Sequence, residues 1–126
     1  MIARRGRAVA FVRGLLEATL SRPPHLGCFG MHEWAMVYRT DNPRHSLPLR
    51  LGPEGTNAVV EAHNVKCTHF DAYRFFTPPA KPLNLTVLNN TTRPDHEQAG
   101  CLHAGMDLYK WAAKMEPLVP GDLLLD

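Results

Sequence analysis

No stretch of this chain stays apolar for the roughly 18 residues that a bilayer crossing takes. The opening Met1-Ile2-Ala3-Arg4-Arg5-Gly6-Arg7 runs into a segment broken by Arg13 and Glu17, which does not read as a secretory leader. The expectation is a cytoplasmic protein with no membrane partner. Cysteine is scarce and odd in number. Three residues, Cys28, Cys67 and Cys101, cannot close a disulfide framework and read as reduced thiols. A CxxC pair is missing, and His32-Glu33 is followed by Trp34-Ala35-Met36, so the HExxH zinc pattern lacks its second histidine. No internal repeat is visible. Neither sign of charge dominates, with 14 Lys and Arg against 12 Asp and Glu for a net charge of +2. That balance permits nucleic-acid binding without indicating it.

What is present is enough for one domain over residues 1–126, with a modest core. Ala8 to Leu20 reads as an amphipathic helix, with Val9, Val12, Leu16 and Leu20 at helical steps and Pro23-Pro24 closing it. Met31 to Arg39 reads as a second helix, and Thr56 as the N-cap of a short one through Ala62. Leu102 to Met115 is a further strong helix, with Leu102, Met106, Tyr109 and Ala113 on one face. Between them, Leu47 to Leu51 reads as an edge strand despite Pro48, Asn64 to Asp71 as a strand, and Leu83, Leu85 and Val87 as a weak one. The expected class is α+β, a small mixed domain of two main amphipathic helices and short strands. Leu123-Leu124-Leu125-Asp126 begins after a Pro-Gly and stops, as a cut helix would.

Each cysteine stands beside a histidine and a carboxylate: Cys28 with His32-Glu33, Cys67 with His69 and Asp71, Cys101 with His103 and Asp107. In a strand, Cys67, His69 and Asp71 would share one side; on a helix, His103 and Asp107 would stack four apart. His32, His69 and His103 with these carboxylates form one candidate shell for a divalent metal, with Cys67 or Cys101 as a softer ligand. The bland alternative is packing, since free cysteines and hydrogen-bonded histidines are common in cores. No helix-start Gly-x-Cys setting with an activating partner marks a cysteine as a nucleophile. Aromatics flank the same runs, and such rings either fill a core or sandwich a planar base.

The segments Pro24 to Arg39, Arg44 to Leu51, Cys67-Thr-His69-Phe-Asp71-Ala-Tyr73-Arg74-Phe75-Phe76-Thr77-Pro78 and Gly100 to Ala112 carry a resemblance. Together they resemble a family of bacterial, mainly actinobacterial, proteins that carry the name 3-methyladenine DNA glycosylase. The resemblance covers most of Pro23 to Asp126. Family members are longer on both sides, which implies that this chain is the central part of a larger domain. The implied activity is base-excision repair of duplex DNA, by hydrolysis of the N-glycosidic bond of an alkylated purine. Such chemistry needs a base pocket and one carboxylate that stabilises the sugar cation or activates water. Asp71 is the first candidate for that carboxylate, with Glu33 and Asp107 behind it. Trp34, Tyr73 and Trp111 are the candidate stacking rings, and Arg39, Arg50 and Arg74 the candidate phosphate contacts. A metal-dependent hydrolase or oxidase built on the His/Asp/Glu residues, and a non-catalytic fragment, remain open beside it.

Overall fold

The computed structural model of the protein describes residues 2–125, with side chains from residue 5 onward. Asp126, in the final apolar run, lies outside the described residues. Among the described residues six α-helices follow in order: α1 (Ile2–Ser21), α2 (Met31–Ala35), α3 (Gly52–Ala62), α4 (Phe70–Tyr73), α5 (Arg93–His96) and α6 (Leu102–Lys114). Two 3-10 turns, Lys81–Leu83 and Gly121–Leu124, complete the set. No described helix is long and apolar enough to cross a membrane.

The α+β expectation is therefore corrected to a largely all-α chain. Among the described residues there is no sheet, only an isolated parallel bridge between Val65 and Asn84. Each expected strand fails for a local reason. Around Leu47 to Leu51, Pro48 removes a donor and the Leu49 carbonyl turns to accept from the Gly52 amide at 2.9 Å, leading into α3. Residues 64–69 are extended, but the Asn84 side chain occupies the place of a neighbouring strand. Its Oδ1 accepts from the Cys67 amide at 2.7 Å, and its Nδ2 donates to the Cys67 carbonyl at 2.9 Å and the Thr86 carbonyl at 2.6 Å. One side chain thus satisfies the groups that a ladder would have used. Leu85 and Val87, beyond the bridge, are exposed.

The chain divides into two compact units, residues 1–25 with 94–126, and residues 26–93. In the first, Leu15, Leu16 and Thr19 of α1 and Ala104, Leu108 and Trp111 of α6 line one small cavity. The Phe11 and Trp111 rings meet edge to face at 6.4 Å. The packed face of α6 is thus not the expected one: Leu102, Met106 and Tyr109 are exposed and Ala104 is buried. Gln98 closes this unit by accepting from the His25 amide at 2.7 Å and donating to its carbonyl at 3.1 Å.

The second unit holds the larger core, with Met31, Ala35, Tyr38, Val60, Val65, Cys67, Ala72, Tyr73, Phe76, Ala80 and Leu88 in one cluster. α2 stops at Ala35, earlier than its apolar pattern suggests. Thr77 explains this by capturing carbonyls, with its amide on Ala35 at 3.3 Å and its hydroxyl on Tyr38 at 2.7 Å. α3 starts four residues before Thr56, with Pro53 in its first turn; Thr56 is buried and donates back to the Gly52 carbonyl at 2.7 Å.

Candidate functional site

Cys28 sits in the turn Gly27 to Gly30 that feeds α2. Two residues of this turn have left-handed backbone, Phe29 at φ 45° and Gly30 at φ 74°. Glycine takes that conformation freely, whereas a bulky aromatic is strained there by about 1–3 kcal/mol. The turn places Phe29 outward, 88% exposed. It also sets Cys28 Sγ 3.0 Å from Nδ1 of His32, four residues on. Nε2 of the same ring lies 3.2 Å from Oε1 of Glu33. His32 is buried, while the Glu33 side chain is 63% exposed. Both ring nitrogens thus have side-chain partners within this unit, in the order thiol, imidazole, carboxylate. A metal would need one of those nitrogens released from its present contact.

Glu33 and Trp34 open onto a cleft of about 570 Å³, walled by Val37, Leu49, Leu51 and Thr56, with Arg50 on its lining. Glu33 also lines a second cleft, of about 510 Å³, that carries Arg44, His45 and Arg50. Trp34 further shares a third cleft, of about 470 Å³, with Gly27, Phe29 and Lys66. Carboxylate, indole and guanidinium thus line clefts that share Glu33 or Trp34 of α2.

Asp71 has a different setting. Cys67 and His69 are both buried along the extended segment, but the backbone turns helical at Phe70 and takes Asp71 out of their row. The expected row of three on one side is thus a row of two. Oδ2 of Asp71 lies 2.9 Å from a guanidinium nitrogen of buried Arg93, and Oδ1 lies 3.7 Å from Nε of Arg74. A His69 nitrogen and an Asp71 oxygen lie within 4.8 Å of each other, so this pair offers two ligands for a cation. The carboxylate is at the same time committed to two guanidinium groups.

The remaining predicted residues are placed as follows. Tyr73 is buried in the core, tilted against Phe76 at 5.1 Å between ring centres, and presents no face for stacking. Arg39 lies 2.6 Å from Glu61, whose carboxylate also accepts from the Tyr38 hydroxyl at 2.9 Å. This network holds the Glu61 carboxyl below its ordinary value, first through the Arg39 hydrogen bond and then through Tyr38. Arg74 and Arg44 stack over the Phe75 ring at 4.5 and 4.1 Å. His103, Asp107 and Trp111 belong to α6 in the first unit, where Asp107 pairs with Lys110 at 2.7 Å and Lys110 lies 4.5 Å from the Trp111 ring. Cys101 precedes that helix.

One feature escaped the sequence reading. Arg93, which anchors Asp71, is separated from it by a proline-rich loop that gives no signal of the contact. The run of Cys28 with His32 and Glu33 stood out in the sequence, and the four-residue spacing into a helix start brings thiol and imidazole together. Compared with known proteins, the chain matches no family model, no curated protein and no solved structure.

Proposed function

We propose that this chain binds alkylated duplex DNA and releases the alkylated purine by hydrolysing its N-glycosidic bond. The observation that carries the reading is the joint presence of Glu33, Trp34 and Arg50 on one cleft, whose volume falls in the range of ligand sites, roughly 300–1,000 Å³. A purine alkylated on a ring nitrogen is already cationic and leaves its sugar readily. What the site must add is a face to hold the base and a negative charge where the sugar cation develops. Trp34 provides the face and Glu33 the charge. Arg50 is the phosphate contact, in place of the Glu61-bound Arg39.

Phe29 supports the same reading. An exposed aromatic held outward by a strained turn is suited to fill the gap that an extruded base leaves in the stack. Asp71, between Arg93 and Arg74, becomes a positioning residue of the fold, and Glu33 takes the catalytic role. The test is release of free base from a duplex carrying 3-methyladenine, with the full chain. Glu33→Gln is expected to lower turnover by about 100-fold or more. Trp34→Ala is expected to raise KM. No free base above the buffer control would end the reading.

A further inference from the structure

The thiol–imidazole–carboxylate row is not used by base excision, which needs only the Glu33 end of it. We infer that Cys28 is a nucleophile, with His32 as its base, and that it accepts the alkyl group of a cationic alkylated purine directly. The inference rests on the substrate class proposed above, but not on glycosidic cleavage. The distances favour one of the two tautomers of His32. With Glu33 Oε1 at 3.2 Å from Nε2, the ring proton belongs on that nitrogen, where it is donated to the carboxylate. Nδ1 is then a lone pair, and it faces Cys28 Sγ at 3.0 Å. That is the arrangement in which an adjacent base activates a weak nucleophile.

Cys28 is half-buried, unlike Cys67, which is sealed in the core. Its chain neighbours Gly27 and Phe29 line a cleft of about 470 Å³ that Trp34 also lines. Phe29 and Gly30, just after Cys28, hold left-handed backbone. The step balances without a co-reactant. The thiol proton moves to Nδ1, and a sulfur electron pair forms the S–C bond to the alkyl carbon. The C–N bond breaks, and its pair returns to the ring nitrogen, discharging the positive charge of the base. The proton leaves the imidazolium for water. The products are a thioether at Cys28 and a repaired, uncharged purine still attached to its sugar. Each chain would act once.

Two measurements on the full chain test this. Iodoacetamide is expected to label Cys28 about tenfold faster than it labels N-acetylcysteine, with peptide mapping to locate the label. His32→Asn should abolish that excess. Glu33→Gln, at an exposed position that folding tolerates, should reduce it while circular dichroism stays unchanged. Incubation with a duplex carrying 3-methyladenine should then add one methyl group to the Cys28 peptide. Labelling no faster than N-acetylcysteine, or a rate unaffected by both substitutions, would overturn the pair. Rapid labelling without methyl transfer from DNA would overturn the acceptor role. Free purine released with Cys28 unmodified leaves glycosidic cleavage standing and removes the acceptor; methylated Cys28 without free purine does the reverse.

Discussion

Arg93 is 6% exposed, and a guanidinium so far from solvent must have a charged or carbonyl partner to be tolerated. Asp71 at 2.9 Å supplies one. Replacing Arg93 by Met keeps the volume and removes the charge, which leaves a partly buried carboxylate short of its main partner. The expected cost is about 2–3 kcal/mol, below the figure for a fully buried pair because Asp71 reaches solvent and Arg74 remains nearby. A shift of the urea midpoint at unchanged slope would measure it. At Glu61 the relevant variable is pH. Its folded carboxyl is held below the ordinary 4.5, so between those two values the unfolded state binds more protons than the folded one. The contribution of Glu61 is fully present above 4.5 and is lost as pH falls through the lower, folded value. The thermal midpoint of the native chain should therefore fall more steeply below pH 4.5 than that of Glu61→Gln; parallel curves would show that the Arg39–Tyr38–Glu61 network contributes nothing. Among single residues, those whose partners lie within a turn were legible in principle, as His32 with Cys28. Arg93 was not, because its partner stands across a loop whose path no local pattern encodes.

At the level of elements, apolar spacing and punctuation located α1, α2, α3 and α6, and the errors lie in their boundaries and faces. α2 ends early because Thr77 takes its carbonyls, a tertiary event that propensity does not register. The strands failed as a class. Residues 65–69 do alternate in burial as a strand would, with Val65, Cys67 and His69 inward. Alternation records which side is buried and not what the backbone pairs with, and here the partner is the Asn84 carboxamide. Asn84→Ala should consequently be costly for a surface-sized change. It strands a buried amide and carbonyl of Cys67 and removes a third bond to Thr86, with an expected loss of about 2–4 kcal/mol. Denaturant melts of the native chain and Asn84→Ala would show it; a loss below that of an ordinary exposed Asn→Ala change would mean that water replaces the carboxamide.

For the whole molecule, the three Cys/His/carboxylate runs name both carboxylates in the sequence but not the different settings that the fold gives them. Asp71 ranked first on a strand that the chain does not form, and its carboxylate is committed to Arg93 and Arg74. Glu33 ranked behind it, yet it faces a cleft beside Trp34 and Arg50. Under the proposed function the two carboxylates divide by role, Asp71 for stability and Glu33 for chemistry. The direct measurement is free-base release from duplex DNA carrying 3-methyladenine, comparing the native chain, Glu33→Gln and Asp71→Asn at equal folded concentration. Release by the native chain is expected, with most of it retained in Asp71→Asn despite a lowered thermal midpoint, and a loss of about 100-fold or more in Glu33→Gln with an unchanged midpoint. Release that survives in Glu33→Gln and disappears in folded Asp71→Asn would contradict this division of roles.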